Sequence, residues 1–197
     1  MANVGAVMAT RAPTILERPE GFAYEPRLLM PAEQERLTAR LEDLDFDEVK
    51  MRGQVARRTV RHYGYDYDYE GWKLLPGEPL PEDLEWVRER AAHFSAVEPG
   101  ALAQTLVSRY PPAAGIGWHR DAPMFGEPVV GVSLGAPARM RLQRKAGEER
   151  RLFELELEPG SIYALTGPAR WSWQHSIPAT KALRYSITFR TLKRPRE

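Results

Sequence analysis

The stretch "GWHRDAPMF", residues 117–125, sets a histidine and an aspartate one residue apart behind a tryptophan. An imidazole and a carboxylate at that spacing can be two donors to a metal ion, or simply a polar turn. In an extended segment residues two apart share a face, so His119 and Asp121 project to the same side, whereas a spacing of three would split them. A third donor stands in "ARWSWQHSIPA", where His175 follows a strand-and-turn unit. The other two histidines are His93, on a helical pattern, and His62, in a tyrosine-rich ribbon. His175 is therefore the natural partner, with a core or capping histidine as the alternative. Two histidines and one carboxylate leave three positions open on one face of an octahedral ion. That suits Fe(II) carrying a bidentate co-substrate and O2.

A second constellation lies in "RYSITFR" near the end of the chain. Strand alternation puts Arg184, Ser186, Thr188 and Arg190 on one face and Tyr185, Ile187 and Phe189 on the other. An ordinary core strand fits this pattern. So does a polar inner face whose arginines, roughly 20 Å apart along the backbone, grip opposite ends of an elongated diacid through charge-assisted bonds.

These residues need elements to hold them. "MPAEQERLTARLEDLDF" (30–46) predicts an amphipathic helix with Leu37, Leu41 and Leu44 inward. "PLPEDLEWVRERAAHF" (79–94) predicts a second, with Leu84, Val87 and Ala91 inward. Between them the two-residue alternation of "RGQVARRTVRHYGYDYDYEGW" predicts strands broken near Gly64. From residue 103 onward short strands dominate. "AQTLVSRY" ends at Pro111-Pro112, and "PVVGVSLG" is apolar enough to be buried on both faces. "ARMRLQRK" follows, then "RLFELELEPGSIYALTG" as two strands joined at Pro159-Gly160, then "RYSITFRTL". The class is α+β, mainly β: a double-stranded β-helix (jelly roll) with an N-terminal helical buttress and a substrate-lid ribbon. One domain is expected over 1–197, with 1–20 loose, 21–100 as buttress and lid, and 103–192 as core.

Composition narrows the setting. The chain has no cysteine, which removes disulfides, thiolate nucleophiles and Cys-ligated zinc together. No apolar run approaches a membrane span, and the first residues lack the charged-then-apolar order of a secretory signal. A cytoplasmic monomer without membrane contact is the expectation. The net charge of +1 argues neither for nor against a polyanionic partner.

Taken together, "SRYPPAAGIGWHRD", "GVSLG", "LEPGSIYALTGPARWSWQHSI" and "RYSITFR", in that order and spacing, resemble the AlkB branch of the Fe(II)- and 2-oxoglutarate-dependent dioxygenases. The resemblance implies a jelly-roll core that holds Fe(II) through His119, Asp121 and His175. It implies that Arg184, helped by Tyr110, binds the far carboxylate of 2-oxoglutarate, that Arg190 lies near the metal-chelating end, and that Ser186 sits between. The implied chemistry is O2 activation, decarboxylation of 2-oxoglutarate to succinate, and oxidation of a substrate C–H bond; an N-methyl group treated so is lost as formaldehyde. Two positions depart from the pattern. Ser108 stands where the family often has asparagine, a shorter hydrogen-bonding group at the co-substrate. Pro123 stands where nucleic-acid repair members often carry an acid, which bears on cationic-base repair.

For substrate, the arginines of "RGQVARRTVRH" offer charge, and Tyr63, Tyr65, Trp118 and Trp171 offer flat surfaces for a splayed base. Arg170 can reach substrate or solvent. Asp66, Asp68 and Glu70 dilute the positive field, tyrosines at period two are also ordinary strand residues, and Trp171 and Trp173, sharing a face, also read as packing beside His175. The leading expectation is an oxidative demethylase of alkylated bases in single-stranded DNA or RNA. The alternatives are the same chemistry on a protein or another small group, and a jelly-roll metal-binding module without turnover.

Overall fold

Leu80 stands between Pro79 and Pro81, and a residue before proline is driven out of the helical region. The second helix therefore starts after Pro81 rather than at 79. The computed structural model of the chain describes residues 14–15, 18–51, 54–68, 73–147 and 149–193. In chain order its elements are β1 (Thr14–Ile15), β2 (Phe22–Glu25), α1 (Pro31–Glu42), β3 (Asp47–Met51), β4 (Gln54–Tyr63), β5 (Tyr65–Asp68), β6 (Lys73–Pro76) and α2 (Glu82–Ser95). After a 3-10 turn at Pro99–Ala101 come β7 (Gln104–Tyr110), β8 (Ile116–His119), β9 (Phe125–Gly135), β10 (Ala138–Ala146) and β11 (Glu149–Leu157). The chain ends with β12 (Ile162–Leu165), α3 (Gly167–Trp171), β13 (Gln174–Ile177) and β14 (Arg184–Leu192).

Two sheets carry the site. The larger runs β2-β12-β9-β14-β7-β4-β3 and the smaller β1-β11-β10-β13-β8, with β5 and β6 as a separate ribbon. The fold is mainly β, as the sequence predicts. The Pro159-Gly160 turn does not make a hairpin. β11 pairs with β10 and β1 in the smaller sheet, while β12 pairs with β2 and β9 in the larger. The turn thus carries the chain from one sheet to the other, which is how a jelly roll closes. The lid segment also divides differently from the expectation. β4 is integral to the larger sheet, pairing with β7, and only β5–β6 stand apart beyond Gly64. Most of the lead-in at 1–20 lies outside the described residues, as do Arg52, Tyr69 and Glu70.

The helices buttress the larger sheet. Leu37 and Leu41 from α1 and Leu84, Val87 and Ala91 from α2 join Val107, Val130, Val132, Ile187 and Phe189 in one buried core. Arg90 of α2 ties the helices together by donating to both carboxylate oxygens of Glu33, which in turn accepts the Met30 N–H at the start of α1. A second core fills the space between the sheets, with Val129, Met140, Leu142, Leu157, Leu165, Trp173 and Ile177. β14 is consequently buried on both faces: Ile187 and Phe189 toward the helices, the arginines and hydroxyls toward the interior of the roll. Burying a polar face between sheets is costly unless it has partners, and that cost marks where function resides.

One packing detail shapes the interior. Gly131 on β9 faces Tyr163 on β12 across the ladder, and a Cβ there would lie 2.4 Å from the tyrosine ring. Gly131→Ala should displace that ring or spread the strands, lowering stability by about 1–3 kcal/mol. Urea denaturation with unchanged slope and an earlier midpoint is the expected readout.

Candidate active site

His119 ends β8 and pairs directly with His175 on β13, so residues 56 positions apart stand opposite each other on antiparallel strands. Their rings lie 4.2 Å apart between centroids. Nδ1 of His119 is 2.9 Å from the Gly117 carbonyl oxygen, an atom that can only accept. That nitrogen therefore carries the proton, and Nε2 keeps the lone pair. Asp121 falls just past the end of β8 rather than on it. Its carboxylate still reaches the pair: Oδ2 is 3.6 Å from Nε2 of His175. All three sequence-predicted donors thus converge. Among the described residues, no trio of histidine and carboxylate side chains is yet drawn tightly enough to grip an ion.

Asp121 is held by arginine. Nε and one terminal nitrogen of Arg190 each approach Oδ1 to 2.7 Å, while the other terminal nitrogen donates to Gln104 at 2.9 Å. Burial opposes ionisation of this carboxyl, but Arg190 foremost, then the two imidazoles and Arg170, outweigh it and hold it well below the ordinary aspartate range. Burial pushes the His175 imidazole down to about 3, reinforced by His119, and burial likewise lowers His119. Both rings are therefore neutral near pH 7, the form that ligates metals.

At the other end of the same face, Arg184 is 1% exposed. Its Nε donates to Ser133 at 3.1 Å, its guanidinium covers the Tyr110 ring at 5.0 Å, and one terminal nitrogen, buried, has no partner. Between the two arginines, Ser108, Ser186 and Ser133 form a row of hydroxyls across β7, β14 and β9. Tyr163 also belongs here. Burial, followed by the Asp121 charge, pushes its phenol up to about 12, with Arg184, Tyr110 and Arg190 also acting on it. Tyr163, Gln104 and Ser133 were not singled out from sequence. The available signal was Gly131, a glycine inside an apolar strand, which marks close approach by something large on the neighbour.

The proposed substrate residues scatter. Tyr63 is buried in the helix-side core, away from the interior. Tyr65 is half-buried on β5. Trp118 lies beneath Arg141 and Arg150, on the face of β8 opposite His119 by strand alternation. Arg170 reaches neither solvent nor open pocket: it is 2% exposed and donates to the carbonyls of Asp121, Ala122, Phe125 and Gly126. It holds the loop that carries Asp121. Trp171 and Trp173 do not share a face, because α3 ends at Trp171. Trp171 is 38% exposed and donates to Glu127, whereas Trp173 is in the core. In the arginine cluster, Arg57 is exposed and Arg61 is tied to Glu78 and Asp47.

Residues 24–190 match the model of the 2OG-Fe(II) oxygenase superfamily. A tRNA (carboxymethyluridine(34)-5-O)-methyltransferase, alkbh8 of Xenopus tropicalis, is 29% identical over 83% of this chain, which spans only 26% of that relative. The mitochondrial alpha-ketoglutarate-dependent dioxygenase alkB homolog 7 of Bos taurus is 29% identical over 90% of this chain and 76% of its own length. The solved structure of OsALKBH1 superposes with a TM-score of 0.68 at 17% identity, covering 89% of this chain and all of that one. The chain belongs to the 2OG-Fe(II) oxygenase superfamily and is a dioxygenase using Fe(II), 2-oxoglutarate and O2. Within that superfamily it is AlkB-like.

The depressed imidazoles have a consequence for stability. As pH falls below about 6.5 the unfolded chain binds protons at His175, while the folded chain does not until about 3. More protons on the unfolded side means stability falls with falling pH across that window, by up to about 1.4 kcal/mol per pH unit for one such group. Chelator-treated protein should therefore lose stability from pH 6.5 to 4.5, and His175→Gln should make the slope shallower; denaturation curves at stepped pH measure it. Arg170→Met should cost about 2–4 kcal/mol by leaving buried carbonyls unpaired, seen as an earlier denaturation midpoint.

Proposed function

We propose that this enzyme is an AlkB-type oxidative demethylase acting on N-alkyl groups of nucleobases in single-stranded DNA or RNA. The observation that carries the proposal is the face of β14. One arginine is locked to the carboxylate beside two facing imidazoles, and another, buried, has a free donor six residues away.

The donor set fits Fe(II). Two neutral imidazoles and an ionised carboxylate supply nitrogen and oxygen donors of the right kind. Their backbones are already in register, and Nε2 of His119 is left free by the Gly117 contact. His119, Asp121 and His175 would hold the ion. The orphaned nitrogen of Arg184 fits the far carboxylate of 2-oxoglutarate, with Tyr110 beneath it and the row of Ser108, Ser133 and Ser186 alongside.

When bound, the ion and co-substrate supply the oxidation: one oxygen atom of O2 goes to succinate as CO2 leaves, the other to the substrate carbon. The chain positions and shields. Arg190 keeps Asp121 ionised and aimed. Arg170 fixes the backbone of its loop. Arg184 sets the reach of the diacid by fixing its distal end. Val129, Leu165 and Trp173 belong to the apolar core between the sheets, which would limit the access of water. A hydroxylated N-methyl group then breaks its C–N bond, giving formaldehyde and an N–H base. The AlkB likeness, a relative named for a tRNA base, and an interior with more arginines than carboxylates support a nucleobase. The pairing of Arg61 with Glu78 and Asp47 reduces the open positive surface and keeps a protein substrate as the second reading.

Arg184→Met should raise the 2-oxoglutarate requirement about tenfold or more, since a buried carboxylate would lose its charged partner. An unchanged requirement in succinate-release assays would remove the co-substrate assignment. His119→Ala should abolish turnover in a folded protein. A mass-spectrometric screen of methylated oligonucleotides and peptides with iron and 2-oxoglutarate decides the substrate: loss of methyl from an oligonucleotide is expected, and loss only from peptides would establish the second reading.

A further inference from the structure

Three interior arginines have defined work. Arg170 holds four carbonyls, Arg190 holds Asp121 and Gln104, and Arg184 spans Ser133 and the Tyr110 ring. Arg58 is different. It is 6% exposed, yet among the described residues it makes no hydrogen bond, ion pair or ring contact. Its place on β4 shows where it points. Val60 pairs with Ser108 and His62 with Leu106, so alternation puts Arg58, Val60 and His62 on the Ser108 side of the sheet. Tyr63, of opposite parity, packs toward the helices. Arg58 thus faces the interior, opposite Tyr110 in the register set by Thr59 and Arg109.

Three described acids near this strand are engaged elsewhere. Glu78 and Asp47 pair with Arg61, and Asp66 lies 3.3 Å from His62. Loading the site does not supply an anion either. The far carboxylate would fall to Arg184, the near one would go to the ion, and Asp121 is matched to Arg190, so none is left for Arg58. The Arg58 nitrogens are not among the sealed, unpartnered atoms, so this largely buried side chain keeps its donors accessible. A cation so placed without a counter-charge is unfavourable, and a planar fork of donors is matched to oxyanions.

We propose that Arg58 is the anion receptor of the substrate pocket, pairing with an oxyanion that the nucleotide carries close to the carbon presented to His119, Asp121 and His175. The proposal rests on the nucleic-acid reading above. The oxyanion has two sources, a carboxylate on the modified base or a phosphodiester beside it.

Two measurements test this. First, Arg58→Met removes an unpaired buried charge for a side chain of similar length, which is neutral or stabilising when the charge has no structural partner. A melting temperature equal to or above the parent protein's is expected, and a clear drop would make Arg58 a structural residue and overturn the proposal. Second, binding is measured anaerobically with Fe(II) and 2-oxoglutarate, using three single-stranded oligonucleotides of one sequence. One carries a central N-methyl base, one an N-carboxymethyl group at the same atom, and one the N-methyl base flanked by neutral methylphosphonates. A carboxylate source makes the carboxymethyl oligonucleotide bind about tenfold or more tighter than the methyl one. A phosphate source makes the methylphosphonate bind weaker by a similar factor. In either case Arg58→Met erases the difference, and Arg58→Lys restores part of it. If the oligonucleotides bind but no difference depends on Arg58, this proposal falls and the nucleic-acid reading stands; if none binds at low salt, both fall. Loss of 2-oxoglutarate affinity as large as in Arg184→Met would assign Arg58 to the co-substrate and also overturn the proposal.

Discussion

Asp121 is held from two directions. Arg190, from the end of β14, grips one carboxylate oxygen, and Arg170, from α3, holds the carbonyls of the loop in which Asp121 sits. Neither contact alone would suffice. The aspartate lies beyond the last residue of β8, where no ladder of backbone hydrogen bonds fixes it. Without Arg170 the loop could swing, and without Arg190 the carboxylate could turn away from His175 or take up a proton in its buried setting. The arginines replace with charge-assisted bonds the rigidity that a strand would have given. Their cooperation also leaves the second oxygen facing the imidazoles.

That arrangement depends on β14 having two working faces. Its apolar side chains close the core under the helices while its arginines and hydroxyls line the roll. A strand at the edge of the sheet could not do this. β14 lies between β9 and β7, so both flanks are paired and its backbone cannot shift by a residue without breaking two ladders. A slip of one residue would send Arg184 and Arg190 into the helix core and Ile187 and Phe189 into the site. The hydrophobic core and the polar site therefore enforce the same register. Gly131 and Tyr163 add a local version of the same logic, in which the absence of a side chain on one strand makes room for a phenol on the next.

Much of this was legible in the sequence because it rests on periodicity. Helix faces, the two-sided burial of "PVVGVSLG", the parity of Arg184 with Arg190 and the convergence of His119, Asp121 and His175 all follow from spacing within a segment or from a motif order. What was not legible depends on which neighbour a face meets. Tyr63 and Arg58 lie five residues apart on one strand with opposite parity, and sequence cannot say which parity points into the roll. Trp118 followed the same ambiguity. Arg170 failed for another reason: a long side chain can turn to solvent or inward, and only the loop of carbonyls that awaits it decides. Trp171 and Trp173 were misjudged because alternation was applied across a helical turn. Gln104 and Ser133, which accept from Arg190 and Arg184, are uncharged polar groups on largely apolar strands, and their partners come from a strand distant in sequence.

The charge balance of the interior links these points to function. Arg58 and Arg184 are buried and Arg190 is partly so, and among the described residues Asp121 is the one carboxylate that pairs with any of them. A folded chain tolerates such an excess only when packing elsewhere outweighs it, and here the two apolar cores on either side of the larger sheet do so. The same excess of positive charge favours anions at this face. Anionic ligands that bind only the folded state stabilise it in proportion to the logarithm of their concentration over their dissociation constant. On the proposed assignment, co-substrate bound along the polar face of β14 would offset that excess. Stability and catalysis meet at the same guanidinium groups, so substitutions that relax the fold by removing a buried charge should be those that weaken capture of an anion.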